Sequence, residues 1–155
     1  MEKFKIYLKS ILIPVIVGVV IGVIISLSID YNTLQKPPFA PPSIAFPIIW
    51  IILYTIMGLS YGILKSKNLT NKQVDLVYYA QLTVNAFWSI FFFLLKWRFF
   101  AFIWILILDI LVALMIIQFY KKDKLAGLLQ IPYLLWVIFA SYLNLFVYVL
   151  NRWIK

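Results

Sequence analysis

Four stretches of the chain run without a charged residue for the thickness of a bilayer. They are residues 10–29, 37–64, 76–95 and 125–151, and a fifth, 99–120, is broken only by Asp109. About 20 apolar residues rising 1.5 Å each cross the ~30 Å hydrocarbon core of a membrane. The pattern predicts five transmembrane helices, near 8–29, 44–64, 75–95, 99–120 and 128–150. Runs such as Ile103-Trp104-Ile105-Leu106-Ile107-Leu108 lack the apolar–polar alternation of a barrel strand. The expected fold class is therefore an all-α integral membrane protein, a bundle of five transmembrane helices in one domain over residues 1–155. The first run follows Lys3, Lys5 and Lys9, as a signal peptide would. It is longer than a typical apolar signal region, and no small-residue cleavage pattern follows, so it reads as a retained helix.

Polar residues within these runs fall into stripes. Trp50, Tyr54, Met57, Gly58 and Tyr61 share one face of the second helix. Gln81, Asn85, Trp88 and Ser89 share a face of the third, and Trp136, Ala140, Asn144, Tyr148 and Asn151 a face of the fifth. Amides are costly in lipid, so the stripes should turn inward. Together they would wall a small-molecule pocket, apolar with sparse polar groups. Each amide taken singly is better read as an interhelical hydrogen bond, worth about 0.6–2 kcal/mol; three stripes on three helices together favour a ligand site.

Asp109 sits near the middle of the fourth helix with no Lys or Arg at its depth. A neutral, hydrogen-bonded clamp between helices is the expected role; a proton relay would need a second carboxylate or a His to continue it. On the first helix, Gly18-x-x-x-Gly22 beside Pro14 and Ser26 forms a small-residue face for packing inside the bundle or between two copies. The sizeable loop, residues 30–43, contains Lys36-Pro37-Pro38-Phe39-Ala40-Pro41-Pro42. Its prolines make it stiff and extended, fit for either a lid or a rigid connector.

Composition narrows the choice of function. The chain is 65% hydrophobic and 12% charged, with a mean hydropathy of +1.02. A soluble domain averages about 45–50% apolar and about 25% charged residues. A soluble domain, a disordered tail and a nucleic-acid module are excluded. The net charge of +9 reflects topology instead. Nine basic residues flank the N-terminus and the second and fourth loops, against five on the other side, which predicts a cytoplasmic N-terminus and an outer C-terminus. There is no Cys and no His. This removes a disulfide framework, a zinc site, a Ser-His-Asp triad and the ordinary axial ligands of haem, and no metal or cofactor is expected. A sterol-type pattern, Leu145…Tyr148…Arg152, occurs three times in variant form and is too loose to carry weight.

The ordered motifs resemble the translocator protein / tryptophan-rich sensory protein family (TspO/MBR). They are Lys36-Pro37 and Pro41-Pro42, then Trp50, Leu53-Tyr54 and Met57-Gly58. Gln81-Leu82, Asn85, Trp88, Phe92-Phe93 and Asp109-Ile110-Leu111 follow, then Pro132-Tyr133, Trp136, Phe139-Ala140, Leu143-Asn144 and Asn151. Phe39-Ala40 departs from the Trp-His usual in animal members, and Tyr148 from the usual Trp. The resemblance implies a bundle, often dimeric, that binds porphyrins such as protoporphyrin IX, sterols or isoquinoline carboxamides. It places Trp50, Asn85, Trp88, Trp136, Ala140 and Asn144 in or beside the cavity, and Pro41 and Pro42 on the loop that covers it. Tyr54, Ser89 and Tyr148 join the candidate lining from their stripes. The Lys/Ile/Phe-rich composition and the lack of a transit peptide point to a bacterial cytoplasmic membrane rather than a mitochondrion, and the resemblance implies, for Trp50 and Trp136, a part in light-dependent porphyrin breakdown.

Three functions are compatible with this reading. One is a receptor or sensor for a flat hydrophobic tetrapyrrole. Another is a photo-oxidative porphyrin-degrading enzyme using Trp50 and Trp136. A transporter is the third, disfavoured because no internal repeat is visible.

Overall fold

The computed structural model describes residues 1–153. Five of its helical segments are long and apolar enough to cross a membrane. The helices are α1 (Glu2–Ile25), α2 (Ala45–Ser66), α3 (Lys72–Ser89), α4 (Arg98–Lys122), the short α5 (Lys124–Leu128) and α6 (Ile131–Asn151). Packing closes a ring in the order α1, α2, α6, α4, α3. Its interior holds Tyr54, Met57, Gln81, Asn85, Tyr133 and Val137, whereas Val19, Val23, Ile110 and Leu135 face outward, where lipid receives them.

Helix ends depart from expectation for physical reasons. α1 starts at Glu2, because lysines are good helix formers whose long stems carry their charge away from the apolar region. α3 finishes as a five-residue π-helix, Ile90–Leu94, and Lys96 then turns the chain at φ 57°. The last crossing is interrupted. Asp123 caps α5 through the Ala126 N–H at 3.0 Å and pairs with Lys67, so the stretch expected as a loop is a helical turn. The Lys67 ammonium, then the Ala126 N–H, hold the Asp123 carboxyl below its usual range.

Glycines on α2, not on α1, set the closest helix contact. Pro14 has no N–H, which leaves the Ser10 carbonyl without its usual intrahelical donor. Gly58 presses against that carbonyl: a Cβ there would lie 2.4 Å from Ser10 O and 2.4 Å from Ile11 Cα. Gly62, one turn on, faces the Tyr7 ring, where a Cβ would lie 2.8 Å from Cδ1. Small residues thus draw α1 onto the C-terminal half of α2. In the N-terminal half of α2 the positions facing α1 are Tyr54 and Trp50, and large rings hold the two helices apart.

Candidate functional site

The separation along the N-terminal half of α2 creates a cavity of about 420 Å³ between α1, α2 and the end of α3. Small-molecule sites span roughly 300–1,000 Å³. Trp50, Tyr54, Trp88 and Ser89 line it, joined by Phe46, Phe93 and the α1 positions Val15, Gly18 and Gly22. Gly18 lies against the Tyr54 ring, where a Cβ would meet Cε2 at 2.4 Å, but Gly22 has nothing within 4 Å. The Gly-x-x-x-Gly face of α1 is therefore half a packing surface and half a cavity wall. Val19, Val23 and Ile51 line the rim and are themselves more than half exposed, so the cavity opens on the lipid-facing surface.

Aromatic rings organise its inner wall. Trp50 stacks on Tyr54 with centroids 5.4 Å apart and planes at 28°. It meets Trp136 edge-on at 6.4 Å and 86°, and Tyr133 at 6.4 Å and 72°. Trp88 lies 6.5 Å away and is fixed by its indole N–H, which donates to Asn144 Oδ1 at 2.9 Å.

Behind this wall runs a chain of buried hydrogen bonds. Tyr54 OH donates to Asn85 Oδ1 (2.8 Å), Asn85 Nδ2 donates to Tyr133 OH (2.7 Å), and Tyr133 OH donates to Gln81 Oε1 (2.8 Å). Gln81 Nε2 ends the chain on Met57 Sδ at 3.3 Å. Each link polarises the next, and in this setting an unpaired member is costly. Asn144 is engaged likewise, accepting from Trp88 and donating from Nδ2 to the Arg98 carbonyl at 2.8 Å. Both amides thus already serve protein partners.

The predicted site residues therefore separate into groups. Trp50, Tyr54, Trp88 and Ser89 line the cavity. Asn85 and Asn144 support its wall one layer back, and Ala140 is buried on the Asn144 face of α6. Trp136 backs Trp50 and Phe46, and its indole N–H has no partner. Tyr148 stands apart from this cavity: it packs on Phe99 at 5.3 Å, because the end of α6 turns toward α4 rather than toward α1. Pro41 and Pro42 lie on the loop between α1 and α2; the Pro41 carbonyl accepts from Tyr31 OH at 2.7 Å. The α1 contribution was not expected from the sequence, where Gly22 stood on a small-residue face with Pro14, Gly18 and Ser26 that reads equally as a packing surface.

The first loop is tied across the end of the bundle where α4 begins and α6 finishes. Asn151 makes a paired contact with the Gln35 backbone, accepting from its N–H at 2.9 Å and donating to its carbonyl at 2.8 Å. Tyr142 OH donates to the Pro38 carbonyl at 3.0 Å, and Arg98 Nη2 donates to both oxygens of Asp30 at 2.8 and 2.7 Å. Lys36 closes the loop on itself through the Tyr31 and Leu34 carbonyls. On α4, Asp109 Oδ2 accepts from Ser141 Oγ at 2.7 Å, which links α4 to α6.

Comparison with known proteins places this architecture. The TspO/MBR family model matches residues 10–150. A "Tryptophan-rich protein TspO" of Archaeoglobus fulgidus is 38% identical over 122 residues, 78% of this chain and 79% of its own length. A protein of the same name from Chlorobaculum tepidum is 36% identical over 124 residues, 78% of each chain. A "Translocator protein" of Ovis aries is 34% identical over 118 residues, 74% of this chain and 70% of its own.

Proposed function

The chain belongs to the TspO/MBR family and is a multi-pass integral membrane protein, and from that premise we propose that it is a membrane receptor or sensor for a flat, hydrophobic tetrapyrrole of the protoporphyrin type. The observation that carries the reading is the cavity walled by Trp50, Tyr54 and Trp88 and open at the lipid-facing surface. Planar rings favour planar ligands. A hydrophobic ligand dissolved in the bilayer would enter past Val19, Val23 and Ile51, with the tied loop closing the aqueous end. Sterols or isoquinoline carboxamides would occupy the same walls. Titrating purified protein with protoporphyrin in the dark is the test: saturable quenching of tryptophan fluorescence supports the reading, and a response no different from detergent alone overturns it.

A second reading, photo-oxidative degradation of the bound porphyrin, is favoured by the contact of Trp50 with Trp136, Tyr54 and Tyr133. Excited porphyrin and dioxygen would supply the reactivity, and the protein would supply orientation and an oxidisable indole. Phenylalanine keeps a flat face but is much harder to oxidise and has no N–H. Trp50→Phe and Trp136→Phe are expected to retain porphyrin binding within about tenfold, or 1.4 kcal/mol. Either change should sharply slow loss of porphyrin absorbance under light. Parental rates in both variants would leave the indoles as walls only.

The basic-residue asymmetry further supports placement in a cytoplasmic membrane with the N-terminus inside. The chain has no cysteine, so single labels are clean. Ala40→Cys should react with an impermeant maleimide from outside and Lys122→Cys should not; the reverse pattern would invert the topology.

A further inference from the structure

A second recess, of about 540 Å³, lies at the outer end between the start of α4 and the end of α6. It is separate from the aromatic cavity: the two share no lining residue. Lys96, Arg98 and Arg152 supply three positive charges, with Trp97, Phe99 and Tyr148 as apolar walls. Among the described residues Asp30 is the acid in reach, bound to Arg98 and 3.6 Å from Lys96, so three cations there face one carboxylate.

The cations are arranged rather than scattered. Arg98 is held by Asp30 and lies over the Phe92 ring at 5.5 Å, and its Nε is buried without a hydrogen-bond partner. Trp97 and Phe99 are 55% and 54% exposed and Trp153 is 81% exposed, which marks the height of a membrane interface. The recess thus offers both cationic and apolar lining, and a ligand that suits both parts has an anionic head and hydrocarbon tails. We propose that it holds the phosphodiester headgroup of an anionic glycerophospholipid, with the acyl chains lying along the seam between α4 and α6. Tyr148, apart from the aromatic cavity, would then pack against the glycerol end of that lipid.

The test uses full-length protein reconstituted in vesicles of equal phosphatidylcholine and phosphatidylglycerol, extracted in mild detergent, with retained lipid counted by native mass spectrometry. The parent should retain phosphatidylglycerol in preference to phosphatidylcholine. The double variant Lys96→Gln, Arg152→Gln should lose about 25-fold in that preference, each cation contributing about fivefold near an anionic surface. The charge-conserving pair Lys96→Arg, Arg152→Lys should keep it, which separates lost charge from lost fold. Lys121→Gln, Lys122→Gln at the opposite end removes the same charge and should also keep it. No preference in the parent, or equal loss in both glutamine pairs, overturns the proposal. Displacement of the lipid by inorganic phosphate, but not by chloride of matched ionic strength, would assign the recess to a free anion and overturn the lipid.

Discussion

Asn85→Leu is expected to destabilise the bundle by about 2–4 kcal/mol. Leucine has nearly the shape of asparagine, so little is lost in packing. What changes is the chain of hydrogen bonds: Tyr54 OH loses its acceptor and Tyr133 OH loses a donor. A buried hydroxyl left unpaired costs about 1–3 kcal/mol, and an interhelical hydrogen bond averages about 0.6 kcal/mol. Asn85 is wholly buried, so water cannot replace the lost partner. The melting temperature in a fixed detergent reads this out, alongside porphyrin titration in the dark. A large stability loss, with affinity falling only through the displaced Tyr54 ring, fits the geometry. Unchanged melting with affinity reduced tenfold or more would instead mean that the amide addresses the ligand directly.

Gly22→Phe is expected to abolish high-affinity binding in the aromatic cavity while leaving the folded yield unchanged. The Cβ direction at Gly22 meets open space, so a ring can enter without moving backbone. Once there it occupies volume facing Trp50 and Trp88, and the ligand forfeits the apolar area it would have buried, at roughly 25 cal/mol per Å². A loss of only about 60 Å² is already tenfold in affinity. Gly18→Ala is the contrasting substitution. Its Cβ would push the Tyr54 ring and with it the hydroxyl bound to Asn85, so it should lower stability as well as binding. Unimpaired porphyrin affinity in folded Gly22→Phe would place the ligand elsewhere.

These two positions show how far a linear reading reaches. Asn85 was recognisable because an amide inside an apolar run at i+4 from Gln81 has to face protein. What it binds was not recognisable: Tyr54 and Tyr133 are 31 and 48 residues away, and their hydroxyls meet it only when α2 and α6 are docked. Gly22 was read as a packing residue together with Gly18, and that reading holds for only one of the pair. The pair that draws helices together is Gly58 and Gly62, whose role depends on the free Ser10 carbonyl above Pro14 on a different helix.

By itself, the sequence determined five membrane crossings, because charge-free length is a one-dimensional property that the bilayer reads directly. It also determined which faces turn inward, because helical periodicity places amides and aromatics on common stripes. Only the tertiary structure decided which inward residues border empty space and which fill it. Trp50 and Trp88 stand at a cavity, Asn85 and Asn144 are engaged behind it, and Tyr148 belongs to another recess. The physical reason is that a cavity is a mismatch between two surfaces. Gly58 lets α1 approach while Tyr54 holds it off, and the space left between them belongs to neither helix alone.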